Sequence, residues 1–335
     1  MYSLDSFRQA QERLLGVAVR TPLVPYFPPH HAPAKSHDRV LRLKPESLQP
    51  IGSFKLRGAY NKIATLSEAA RQRGVITYSS GNHAQGVAFA ARAMGVKACI
   101  VMPRNAPKIK VDATKALGAD VVMVGAASSE RRIKAEELAR EHEYSIVPPY
   151  DDEQIISGQG TIGLEILEDL PEVDVVLVPV GGGGLISGIS AALKMSGSKA
   201  KIIGVEPALA NDAQQSLRSG EIVTLPPERV SGTLADGLRT QAIGHLNFEM
   251  IRQYVDDIVT VEEDEIREAM RRMMSEMRLV AEPSGAVTFA AYLFHEAKLP
   301  RGRNVVAILS GGNVEPALLA EIMTENDAQS ELKAG

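Results

Sequence analysis

Four successive glycines, Gly181, Gly182, Gly183 and Gly184, follow the apolar run Val175–Val178 and precede the amphipathic stretch Leu185–Lys194. At a strand-to-helix junction, residues without Cβ let backbone N–H groups close on an anion. The helix N-terminus adds unpaired donors and a favourable dipole. The chemistry this spacing suits is the grip of a phosphate; the alternative is a turn packed against a strand. Two common phosphate patterns do not fit. Counted from Gly181 or Gly182, G-x-G-x-x-G fails at its third glycine, where Ile186 or Ser187 stands. A G-x4-G-K-[ST] loop fails because Ile189 and Ser190 follow Gly188.

A second segment, Ser53-Phe54-Lys55-Leu56-Arg57-Gly58-Ala59, opens a helical pattern that runs to about Ala64, with Ser53 as a fitting N-cap. Lys55 then sits in the first turn, where the helix dipole disfavours its charge and lowers its pKa. A neutral amine can condense with a carbonyl to a Schiff base. Alone, a lysine at a helix start is a solvated surface group. Beside a phosphate loop it is a candidate nucleophile.

Such groups need buried strands that feed helices. The chain alternates β-branched runs with helical patterns: Val75–Tyr78 then Ala84–Met94, Ala98–Val101 then Ile109–Leu117, Val121–Val124 then Glu130–Arg140, and Ile146–Val147 then Ile155–Leu167. Val175–Val178, Ile202–Val205 and Val305–Leu309 follow. This is the pattern of βαβ units and parallel sheets, an α/β class, and the length favours two sheets over one. A small domain over 74–149 is expected, with 1–73 plus 150–335 forming a large one. His30 to His37 and the polar tail after Glu325 read as loop or frayed terminus. With 335 residues, 44% hydrophobic, the chain can bury a sizeable core, and its net charge of −4 argues against nucleic acid or an anionic membrane as partner. Cys99, the single cysteine, lies in an apolar run and reads as a packed thiol, which suits a cytoplasmic location. Neither a signal peptide nor an apolar run of about 18 residues is read from the sequence.

Taken in order, the Lys55 segment, Ser79-Ser80-Gly81-Asn82-His83, the glycine run and Ser310-Gly311-Gly312-Asn313 resemble fold-type II pyridoxal-phosphate enzymes. The likeness is greatest to the threonine/serine dehydratase and serine racemase branch and spans roughly residues 5 to 318. It implies a two-domain, tryptophan synthase β-like fold of parallel-rich sheets flanked by helices. It also implies pyridoxal 5′-phosphate carried on Lys55, with Gly181, Gly182, Gly183 and Gly184 at the phosphate, Asn82 at the 3′-oxygen, Ser310 at the ring nitrogen and Phe54 against the ring. A hydroxyl at that nitrogen leaves the ring largely neutral, a weaker electron sink that suits α-proton loss followed by prompt β-elimination.

Ser79, Ser80, Gly81, Asn82 and His83 end a strand and open a helix, whose free N–H groups suit a substrate carboxylate. His83 reads as a hydrogen-bonding helix-start residue. Ser80 matches a racemase serine that exchanges a proton on the face opposite the lysine, or is an ordinary helix cap. Arg131 aligns with an arginine that contacts a substrate carboxylate, or belongs to a solvated face. Thr240 matches a pocket hydroxyl. Glu206, the Ala210 carbonyl and Asp212 match a divalent-cation site (Mg²⁺, Ca²⁺ or Mn²⁺), or form an acidic capping turn. Gln85 and Lys110 align with nucleotide contacts of animal racemases, but Leu117 replaces the stacking aromatic, so ATP binding is not expected. Isoleucine feedback is not expected either, because the chain stops soon after Ser310.

The expected activity is that of an L-threonine/L-serine ammonia-lyase, with Lys55 as catalytic base, a small 3-hydroxy amino acid as substrate and a homodimer as the assembly. Rival readings are a serine or other amino-acid racemase using Lys55 and Ser80, a dehydratase for 3-hydroxyaspartate or another 3-hydroxy amino acid, and a catalytically silent regulatory paralogue.

Overall fold

Runs of Val, Ile and Leu without polar alternation demand burial on both faces. A computed structural model, which describes residues 3–28, 39–106, 108–125 and 128–334, stacks these runs into two sheets. The strands are β1 (Val24–Pro25), β2 (Val40–Pro45), β3 (Val75–Tyr78), β4 (Ala98–Pro103), β5 (Asp120–Val124), β6 (Ser145–Ile146), β7 (Val175–Pro179), β8 (Lys201–Pro207), β9 (Asp257–Val261) and β10 (Asn304–Leu309). The larger sheet runs β1-β2-β10-β7-β8-β9 and the smaller β5-β4-β3-β6. Every pairing is parallel except β1 with β2. In the centre of the larger sheet Val176 faces both Ile202 and Val306.

Helices cover both faces. On one side of the larger sheet, Ile162, Ile166, Ile186 and Ile189 of helices Glu153–Asp169 and Gly184–Met195 pack on Val176 and Val178. On the other, Ile266, Val287 and Phe289 of helices Glu263–Arg272 and Pro283–Phe294 pack on Leu177, Val205 and Ala307. The smaller sheet buries Val75 and Ile100 against helices Lys55–Ala64 and Asn82–Ala93, and Ile76, Cys99 and Val101 against helix Ser128–His142. Cys99 is a buried free thiol, as its apolar run implied.

Helix Lys55–Ala64 crosses helix Glu153–Asp169 in near backbone contact: a Cβ on Gly158 would lie 2.6 Å from the Arg57 carbonyl oxygen. It also carries Arg57 into the interior. The guanidinium meets Glu46 at 2.8 Å and Glu165 at 2.6 Å, and Lys44 meets the other oxygen of Glu165 at 2.6 Å. Burial alone would raise the Glu46 pKa, but the charge of Arg57 overrides it and holds the carboxyl below its usual value.

Several elements differ from the sequence reading. β1, β2 and β9 were not anticipated. β2 carries Arg42 and Lys44, and Lys44 tolerates full burial only through Glu165 and the Thr21 carbonyl. Ser53 does not cap its helix. The N-cap is Phe54, and Ser53 instead forms a β-bridge with Gly311, so a tertiary pairing replaces the local one. The tail after Glu325 continues helix Pro316–Ala334, as fits a segment free of internal Gly and Pro. His30 to His37 lie outside the described residues.

Replacing Arg57 by Met should leave Glu46 with no cation in contact and Glu165 with Lys44 alone, and lower unfolding stability by about 3–5 kcal/mol. Urea denaturation of both proteins tests this. An unchanged midpoint would show that water reaches the cluster.

Candidate active site

The loops that follow the central strands converge, as the C-terminal edge of parallel sheets requires. Phe54, just before the helix, donates its N–H to the Ser310 carbonyl at 3.1 Å, and Ser53 bridges to Gly311. Asn82, the first residue of its helix, donates from Nδ2 to Glu282 Oε1 at 2.7 Å and accepts at Oδ1 from Asn313 Nδ2 at 2.8 Å. The Ser310 hydroxyl, buried, reaches the Ser284 carbonyl only at 3.4 Å, and the Ser284 hydroxyl accepts from Gly237 N–H at 2.9 Å. A Cβ on Gly181 would lie 3.2 Å from the Gly237 carbonyl, which brings the glycine run to the same place.

The far side is closed through residues 149–150. Lys55 Nζ donates to the Pro149 carbonyl at 2.7 Å, and a Cβ on Gly182 would lie 2.2 Å from the Tyr150 ring. Lys55, Phe54, Asn82, Ser310 and Gly181 to Gly184 therefore line one ring of contacts. His83, behind it, is buried with Nε2 3.0 Å from the Val147 carbonyl oxygen, and burial drops its pKa to about 3. It is the hydrogen-bonding residue the sequence suggested.

Lys55 has its pKa lowered to about 8, first by burial, with the charge of Glu282 acting the other way. The direction is the one the helix-start position predicts, but the cause is burial. Phe54 lies beside it, its ring centroid 5.2 Å from Nζ. Glu282 was not identified from sequence. Burial, followed by the nearby charge of Asp236, pushes its carboxyl up to about 8. The available signal was a carboxylate immediately before Pro283-Ser284-Gly285 at a helix start; its partner Asn82 is 200 positions away in sequence.

The substrate-side residues are more loosely tied. Gly81, not Ser80, caps helix Asn82–Ala93, and the Ser79 hydroxyl accepts from Gly81 N–H at 3.3 Å. Capping therefore does not account for Ser80. Thr240 Oγ1 and Arg131 Nε are each buried without a partner, and burial holds the Arg131 guanidinium below its ordinary pKa. The solvated-face reading thus fails for part of Arg131. A surface cavity of about 510 Å³ lined by Arg104, Glu130 and Ile133 contains none of the motif residues.

Glu206 is the penultimate residue of β8, Ala210 lies in the 3-10 turn Ala208–Ala210 and Asp212 opens helix Asp212–Ser219. Glu206 accepts from the N–H groups of Ala213 and Gln214 at 3.0 and 2.8 Å, so it does act as a cap. Capping leaves Asp212 unexplained, because both of its carboxylate oxygens are buried without a partner. Among the described residues no group of three or more His, Cys, Asp or Glu side chains could hold a metal, so a cation here would also need backbone or water oxygens.

An aldehyde cofactor bearing a phosphate fits these residues. The glycine run has no room for side chains, since a Cβ on Gly183, where φ is +93°, would lie 2.8 Å from Asn247. The amine is poised for neutrality, and the Ser310 hydroxyl is only weakly engaged. Comparison with known proteins agrees. The profile of the family described as "Pyridoxal-phosphate dependent enzyme" matches residues 15–311. The chain is 44% identical over 335 residues to the L-threonine ammonia-lyase of Thermotoga maritima, covering 98% of this chain and 80% of that protein. It is 42% identical over 281 residues to the L-threo-3-hydroxyaspartate ammonia-lyase of Saccharomyces cerevisiae, covering 84% and 85%. The structure of maize serine racemase superimposes with a TM-score of 0.88 at 37% identity, over 98% of this chain and 99% of that one.

Lys55 should become nucleophilic as pH rises through about 8, where its lowered pKa frees the amine, and not through the ordinary 10.5. Borohydride trapping of an aromatic aldehyde on the ligand-free chain, followed against pH, measures that midpoint. In Glu282→Gln the neighbouring charge that raises the lysine pKa is gone, so the midpoint should move lower still.

Proposed function

The chain belongs to the family of pyridoxal-phosphate dependent enzymes, and on that premise we propose that it is an L-threonine/L-serine ammonia-lyase. The observation that carries the reading is a half-buried lysine amine shifted toward neutrality on the same ring of contacts as a glycine phosphate loop. When bound, the cofactor supplies an electron sink that acidifies the α-carbon of the amino acid. Lys55 Nζ then takes the α-proton as general base. Asn82 and Ser310 orient the ring through its 3′-oxygen and nitrogen, and the open N–H groups at the start of helix Asn82–Ala93 receive the substrate carboxylate. The C–O bond at the β-carbon would break with its electron pair leaving on oxygen, the proton taken by Lys55 would complete the departing water, and the released enamine hydrolyses to a 2-oxo acid and ammonia. Residues 74–149, which contain the whole smaller sheet, serve as the small domain, with 1–73 and 150–335 as the large one. We place the enzyme in the cytoplasm as a homodimer; among the described residues no helix is long and apolar enough to cross a membrane.

Two observations favour neighbouring specificities. Ser80 is free of capping duty, and a proton exchanged there on the face opposite Lys55, the role its racemase counterpart implies, would add racemisation to elimination. The unpartnered Arg131 Nε suits a second carboxylate, as in 3-hydroxyaspartate. One panel separates them: L-threonine, L-serine and 3-hydroxyaspartate, with 2-oxo acid and D-serine assayed in the same samples. Lys55→Ala should abolish turnover, and full activity in that variant would sink the assignment. Ser80→Ala should suppress D-serine formation by ~10²–10⁴-fold, the usual worth of acid–base help, while sparing L-threonine elimination.

The unpartnered Asp212 oxygens support a divalent cation held with Glu206 and the Ala210 carbonyl. Chelation should lower the melting temperature, with Mg²⁺, Ca²⁺ or Mn²⁺ restoring it by ligand-linked stabilisation, and Asp212→Asn should remove the response. Indifference of the wild type to both treatments would eliminate the site.

A further inference from the structure

The Gly182 carbonyl accepts two hydrogen bonds from one place, the Gly244 N–H at 3.1 Å and the Asn247 side-chain Nδ2 at 2.8 Å. Asn247 is fully buried near the start of helix His245–Tyr254. That helix start is itself held by Asp151, which accepts from the N–H groups of His245, Leu246 and Asn247 at 3.1, 3.0 and 3.4 Å. Asp151 follows Tyr150, whose ring covers Gly182, and Pro149, whose carbonyl accepts from Lys55.

We propose that Asn247, fixed by Asp151, is a positioning residue for the phosphate grip. The peptide group is planar and trans, so the Gly182 C=O and the Gly183 N–H point in opposite directions. Tying the carbonyl to Asn247 turns the Gly183 N–H away from that helix and toward the anion enclosed by the loop. Without Asn247 only the Gly244 N–H holds that carbonyl, a run of glycines resists rotation of the peptide less, and the donor is held less firmly on the phosphate. Asp151 acts one step back, by fixing the helix end from which Asn247 reaches. The same short segment, 149–151, thus sets both ends of the cofactor site: the amine through Pro149 and the phosphate loop through Tyr150 and Asp151.

The proposal rests on Gly181 to Gly184 being the phosphate site, and the test separates the two. Dissociation constants of pyridoxal 5′-phosphate, pyridoxal and inorganic phosphate are measured on the full-length chain stripped of cofactor, in wild type, Asn247→Ala and Asp151→Asn. Loss of one buried hydrogen bond should weaken the two phosphate-bearing ligands about tenfold in Asn247→Ala and leave pyridoxal, which lacks the phosphate, nearly unchanged. Asp151→Asn should show the same selectivity with a smaller loss, and it carries the test if Asn247→Ala fails to fold. Equal weakening of all three ligands, or unchanged phosphate affinity in the folded variants, overturns the positioning role. A wild type that binds pyridoxal as tightly as its phosphate ester would instead remove the phosphate-loop reading.

Discussion

A guanidinium removed from water must be surrounded by carboxylates, and Arg57 meets that demand with Glu46 from the turn after β2 and Glu165 from helix Glu153–Asp169. Because Arg57 lies two residues beyond Lys55, satisfying its charge fixes the start of the helix that presents the reactive amine. Lys44 completes the cluster at Glu165 and joins β2 to it. Such buried ion clusters add little net stability over an apolar core, yet they are unforgiving of displacement, because each misplaced partner leaves a bare charge. The helix consequently has one permitted position between the two sheets.

Low dielectric shapes the site itself in the same way. Burial lowers Lys55 to about 8 and His83 to about 3 while it raises Glu282 to about 8. All three shifts favour the uncharged form. At neutral pH His83 stays uncharged beside the Val147 carbonyl, and the strand end at 147 is held from one side by His83 and at 149 by Lys55. Low dielectric thus favours the neutral form of each group, and it brings the lysine amine within reach of neutral pH while leaving it protonated there.

The sequence exposes what depends on local pattern. Gly181 to Gly184 and Asn82 stand at strand–helix junctions, Lys55 at a helix start and Ser310 at a strand end, places that local pattern reveals. The unread parts depend on partners far along the chain. Glu282 acquires its meaning from Asn82, and Lys44 is a strand residue only because Glu165 neutralises it. Ser53 looked like a helix cap from its neighbours, but Gly311, distant in sequence, claims its backbone. Local rules describe an isolated segment well and cannot register a contact made after the sheets close.

The overlap between Gly182 and Tyr150 also constrains how this chain can change. A Cβ at position 182 would fall 2.2 Å from an atom of the Tyr150 ring, closer than any packing allows. Tyr150 in turn sits between Pro149, which accepts from Lys55, and Asp151, which secures a helix end, so the ring has little freedom to retreat. Position 182 cannot drift alone. A side chain at 182 becomes admissible only after position 150 has shrunk, and that order of events makes the two sites a single heritable unit in the history of any lineage that carries this loop.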